Sequence, residues 1–77
     1  MADREDLKDW VYRAVQENGG RTKLVRVAQH IWENHEQDLR RSGDLFYTWQ
    51  YEMRWAAQRL RDEGRLTLAG RDWALKR

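Results

Sequence analysis

Cysteine and proline are both absent from these 77 residues. Without a thiol there is no disulfide staple and no cysteine-ligated zinc site. Histidine occurs only as His30 and His35. Five residues apart on a helix, they stand about 140° apart around the axis and cannot share a metal ion. No His-Glu-x-x-His pair occurs, so no metal and no cofactor is expected. Ser42 is the sole serine. It sits in turn chemistry, Ser42-Gly43-Asp44, with no histidine pattern beside it, which argues against a serine nucleophile. The Asp…Glu-x-Lys signature of nucleases is missing too, and Gly19-Gly20 follows no strand, which excludes a phosphate loop. An enzyme is not expected. Apolar runs fall far short of the ~18 residues of a membrane span. Met1-Ala2-Asp3-Arg4-Glu5-Asp6 does not read as a leader, so a cytoplasmic protein without a membrane partner is the expectation.

Aromatic side chains and arginine are what the chain does have. Five Trp, three Tyr and one Phe supply large apolar surfaces, each burying about 150–250 Å². A chain of this length forms one domain and needs such residues to build a core. The net charge is only +2, but it is unevenly placed. Residues 1–38 carry a net −2 and residues 39–77 a net +4. Twelve of the fifteen basic residues are Arg, whose planar fork suits phosphates and guanine edges. A solvated surface uses the same residues, so composition leaves both readings open.

Periodicity divides the chain into helices over about 4–18, 22–36 and 48–63, then a hairpin over about 65–76. Leu7, Trp10, Val11, Ala14 and Val15 form the first apolar stripe, with Asp3 or Asp6 as cap and Asn18-Gly19-Gly20 as stop. Leu24, Val27, Ala28 and Ile31 form the second, with Thr22 as expected N-cap. Residues 36–47 read as a polar connection with an apolar tail, longer than usual for so small a domain. In the third helix Trp49, Met53, Ala56 and Leu60 fall within about 60° of one another, Thr48 is the expected cap, and Gly64 ends it. The period then changes from 3.6 to 2: Leu66 and Leu68, a tight turn at Ala69-Gly70-Arg71, then Trp73 and Leu75. Trp10, Trp32, Trp49 and Trp73 are read as core. Trp55 lies about 120° off the third stripe and is expected under the hairpin against Trp73.

Opposite the third stripe lie Tyr47, Gln50, Tyr51, Arg54, Gln58 and Arg61. Arg54 and Arg61 suit phosphate or guanine, Gln50 and Gln58 suit adenine, and the two tyrosines can donate to phosphate. Hairpin residues Arg65, Arg71, Lys76 and Arg77 suit a backbone or minor groove, or protect a strand edge.

Three helices followed by a hairpin is the order of a mainly α protein of the winged helix-turn-helix class, a three-helix bundle with a C-terminal wing. The run Trp49-Gln50-Tyr51-Glu52-Met53-Arg54-Trp55-Ala56-Ala57-Gln58-Arg59-Leu60-Arg61-Asp62-Glu63-Gly64-Arg65-Leu66, with Gly70-Arg71-Asp72-Trp73 after it, resembles the N-terminal domain of Mrr-type restriction endonucleases. Trp49, the Trp55-Ala56 pair, Leu60, Gly64, Gly70 and Trp73 carry the resemblance. It spans roughly residues 7–76, its last third being distinctive. The resemblance implies a winged-helix DNA-binding unit, here without the nuclease domain. It departs from the family in having no proline in 36–47. Double-stranded DNA is the expected partner, bound through the third helix and the wing, by a homodimer or within a larger complex. The alternative is a protein-interaction module using Tyr47, Tyr51 and Trp55 as anchors.

Overall fold

The computed structural model describes residues 3–76. Its elements are α1 (Arg4–Glu17), β1 (Arg21–Thr22), α2 (Leu24–Arg40), α3 (Leu45–Asp62), β2 (Leu66–Ala69) and β3 (Asp72–Leu75). Three helices enclose the core, and a small antiparallel sheet of order β1-β3-β2 closes one side.

Helix α1 starts at a reciprocal cap. The Asp3 carboxylate accepts from the backbone of Glu5 and Asp6, and the Asp6 side chain accepts from the Asp3 backbone. Its stripe Leu7, Val11, Ala14 and Val15 is fully buried and faces mainly α3. The chain then turns at Gly19-Gly20. Gly20 holds a φ of 88° that L side chains rarely adopt. From there its carbonyl accepts the Leu75 N–H at 2.8 Å. That bond draws the next two residues into the sheet: Arg21 pairs with Ala74 and Thr22 with Trp73.

This strand accounts for the first correction. Thr22 does not cap α2, because it is committed to the sheet and buried; Lys23 occupies the cap position with no side-chain hydrogen bond. The second correction concerns residues 36–47. Helix α2 continues to Arg40 through a kink at His35, and α3 begins at Leu45, leaving only a tight turn between them. Packing supplies the reason: Leu39 is fully buried, and Leu45 lies against the core one helical turn before Trp49. Thr48 therefore sits inside α3, donating its hydroxyl to the Asp44 carbonyl at 3.3 Å. Gly64, with φ 77°, ends α3, and the Arg65 N–H reaches back to the Leu60 carbonyl at 2.9 Å.

The strands β2 and β3 pair Leu66 with Leu75 and Leu68 with Trp73. Leu66 and Trp73 seal the sheet onto the helices. Trp49 and Trp73 are buried, whereas Trp10 and Trp32 are half-buried at the margin. Trp10 stacks on His35 at 3.9 Å, and Trp32 stacks parallel to Trp49 at 6.1 Å. Trp55 is also half-buried, but beneath Arg4 of α1 at 4.3 Å and not against Trp73. Among the described residues no helix is long and apolar enough to cross a membrane.

Candidate nucleic-acid interface

Position along α3 decides which exposed side chains meet. Arg54, Gln58 and Arg61 recur at intervals of four and three, so they share one helix face. That face points toward the β2–β3 turn, where Arg71 projects. Together these four residues line a cleft of about 330 Å³ between α3 and the hairpin, with Leu24, Leu68 and Trp73 along its wall. All four are exposed.

The other sequence-derived candidates divide around this cleft. Tyr47 and Tyr51 are 83% and 76% exposed. Tyr47 packs edge-on to Phe46 at 5.1 Å near the start of α3. Tyr51 joins Arg4, Arg54 and Trp55 around an adjoining hollow. Gln50 borders an apolar groove of about 500 Å³ formed by Val25, Ala28, Trp32, Phe46 and Trp49. Arg65 and Lys76 belong elsewhere. The Arg65 guanidinium lies over the Tyr12 ring of α1 at 4.2 Å, and the Lys76 N–H donates to the Arg65 carbonyl at the foot of the hairpin. Although exposed, neither joins the cleft. Arg77 lies outside the described residues.

Acidic residues close to α3 mostly pair with cations outside the cleft, although Glu52 lines the adjoining hollow with Arg54 and Gln58. Glu52 pairs with Arg4 at 3.7 Å, and Glu63 pairs with Lys8, both partners being on α1. The Lys8 ammonium, hydrogen-bonded to Glu63, holds that carboxyl below its ordinary range. On the hairpin, Asp72 accepts from the Arg21 guanidinium at 3.0 Å. Among the described residues Arg54, Arg61 and Arg71 form no ion pair. The cleft therefore carries three guanidinium groups without an ion pair, and one carboxylate stands close to them, Asp62, which accepts from the cleft residue Gln58 at 3.0 Å.

Sequence reasoning missed a neighbouring set. Arg21, Lys23 and Arg26 line a hollow of about 650 Å³ beside Thr22, Val25, Gln29 and Asp72. The signal was present in the run Arg21-Thr22-Lys23-Leu24-Val25-Arg26. Averaging charge over residues 1–38 hid it, because the eight acidic residues of that stretch, Glu33, Glu36 and Asp38 of α2 among them, outnumber its six basic ones.

No group of three or more His, Cys, Asp or Glu placed to hold a metal ion occurs among the described residues. His30 meets Glu17 through Nε2 at 3.2 Å, while its Nδ1 is buried without a partner. His35 stacks on Trp10 and lies 3.8 Å from Asp38.

The molecule is thus a helix-rich protein with a small antiparallel sheet and an arginine-lined cleft between its last helix and its hairpin. No protein-family model matches the chain, and neither a curated protein nor a solved structure does.

Proposed function

We propose that this chain is a winged-helix domain that binds double-stranded DNA, similar in layout to the N-terminal domain of Mrr-type restriction endonucleases. Helix α3 enters the major groove, and the β2–β3 turn is the wing that meets the neighbouring backbone. One observation carries this reading: Arg54, Arg61 and Arg71 converge on a single cleft with no carboxylate paired to them. Unpaired guanidinium groups held together repel one another, and a polyanion relieves that repulsion. A strand edge that needed only protection would not require matching charges on the helix opposite. The β1 strand supports the same reading by bringing Lys23 and Arg26 beside the hairpin, while Arg21 itself pairs with Asp72.

A domain of this size covers about 600–1,000 Å² of DNA. Tight binding then calls for a homodimer or a larger complex. Titrating a random duplex at several salt concentrations tests the mode. Arg54→Ala should weaken binding, and Arg71→Ala should reduce the slope of log affinity against log salt by about 1. Unchanged slopes in both variants would falsify it.

A second reading has its own observation. Exposed Tyr47 and Val25, which is 67% exposed, stand near the apolar groove of Trp32 and Phe46. A protein-interaction module would use that groove with the tyrosines as anchors. Trp55 contributes less to it than its sequence position suggests, since Arg4 covers the ring. Tyr47→Ala lowering duplex affinity no more than threefold, while Arg54→Ala lowers it tenfold, favours DNA over this alternative.

A further inference from the structure

Asp62 is the exception among the acidic residues near the cleft. Glu52, Glu63 and Asp72 each meet a cation. Asp62 is exposed and, among the described residues, forms no ion pair. Instead it accepts a hydrogen bond from the Gln58 Nε2 at 3.0 Å. The Gln58 Oε1 in turn accepts from Arg61 Nη1 at 3.3 Å. A bare carboxylate beside a phosphate-binding surface opposes binding, so its presence needs a reason.

We infer that Asp62 and Arg61 lock the Gln58 carboxamide in one orientation, making Gln58 the residue that reads a base, and Asp62 the residue that positions it. This inference rests on the DNA-binding reading above. A glutamine amide normally rotates freely, because its oxygen and nitrogen ends are almost isosteric. Here the two ends have different neighbours. Turning the amide over would set its N–H groups against a guanidinium and its carbonyl oxygen against a carboxylate. Both contacts would be repulsive, so only one orientation is favourable. Bonded this way, the amide keeps one free N–H and one free lone pair. Adenine presents the complementary pair in the major groove, N7 as acceptor and N6 as donor. Guanine offers two acceptors, N7 and O6, and leaves the Gln58 oxygen without a donor. The chemistry recognised is therefore one adenine in a duplex. Asp62 weakens general affinity and contributes discrimination, while Arg54 and Arg71 supply affinity without discrimination.

Selection from a randomised duplex library, followed by titration of the selected and substituted sites, tests this. The wild-type chain should enrich adenine at one position. Gln58→Ala should reduce that preference by about tenfold and leave the remaining positions unchanged. Asp62→Ala should reduce it severalfold while affinity for unselected duplex stays level or rises. Asp62→Asn retains a carbonyl acceptor and should recover much of the preference. The Gln58 side-chain amide resonances of the free protein should shift in Asp62→Ala. Uniform weakening on every duplex by Asp62→Ala assigns it a merely structural role and overturns the inference, as does a preference that survives Gln58→Ala. Failure of the wild-type chain to bind any duplex removes the DNA-binding reading itself. Sequence-independent binding by the wild type removes the base reader alone.

Discussion

On the side of α3 that meets α1, charges neutralise one another: Glu52 takes Arg4, and Glu63 takes Lys8. On the side that meets the hairpin, Arg54, Arg61 and Arg71 share a cleft with no ion pair among the described residues. Both sides belong to one helix, and the whole chain carries a net charge of only +2. Net charge is therefore a poor guide to this surface. Exposed ion pairs contribute little to stability, usually about 0–1 kcal/mol. What the pairs beside α1 accomplish is directional: they engage Glu52 and Glu63 with cations of α1, so that of Glu52, Asp62 and Glu63 only Asp62 stands without a cation among the described residues.

The largest expected effect comes from breaking that asymmetry with matched charge changes. Replacing Arg54, Arg61 and Arg71 together by alanine removes three positive charges from the cleft. Replacing Arg13, Arg40 and Arg41 removes the same number from residues that do not line that cleft. Charge-assisted hydrogen bonds are worth about 1.5–3 kcal/mol each, so the first variant should lose at least about a hundredfold in duplex affinity. The second should stay within about fivefold, the residual being long-range and removed by salt. Fluorescence anisotropy at two salt concentrations gives both values, with circular dichroism to confirm that each variant is folded. Equal losses would mean that bulk charge, and not the cleft, governs binding.

Lys23→Ala with Arg26→Ala sharpens the boundary of the cationic side and should have a smaller effect. If the hollow they line with Arg21 lies along a phosphate strand, the pair should reduce the salt slope by about 2 and affinity by roughly tenfold. No change in slope would confine the interface to α3 and the hairpin.

Much of this arrangement was legible in the sequence, and the exceptions share a cause. The apolar stripes placed three helices and a hairpin, and helical spacing alone put Arg54, Gln58 and Arg61 on one face. Tertiary pairing decided the rest. Two residues, Arg21 and Thr22, become a strand only because β3 lies beside them; a strand that short leaves no period to detect. Thr22 and Thr48 are good caps by local chemistry. Sheet pairing overrides the first, and burial of Leu45 one turn earlier overrides the second. Leu45 lies four residues before Trp49, so the stripe did extend that far, and the polar residues around Ser42 masked it. Trp55 was misplaced because its angle around α3 indicates a side but not the neighbour that occupies it. Arg65 and Lys76 illustrate the same limit in the hairpin: strand position identifies the foot, and only packing against Tyr12 shows that the foot faces α1.

The smallest predicted effect separates stability from binding on the paired side. His35 sits at the kink of α2, stacked on Trp10 of α1, with Asp38 and His30 on its own helix and Arg13 on α1 as charged or titratable neighbours. Desolvation is the main reason its pKa falls below the ordinary 6.5; His30 and Arg13 lower it further, and Asp38 opposes them. A depressed histidine is kept neutral by the fold, so on acidification the unfolded chain takes up its proton first. Stability is therefore full above about pH 6.5. It declines as pH falls from there through the lower folded value, with no further loss from this group below that. Thermal melts across this window should show Tm falling as pH falls, together with quenching of Trp10 fluorescence. His35→Gln should flatten this part of the profile. Duplex affinity per folded molecule should not follow His35, because its stack lies between α1 and α2 and shares no lining residue with the arginine cleft. An affinity that tracks the titration in wild type but not in His35→Gln would couple the two sides of the molecule and end their separation into a structural face and a binding face.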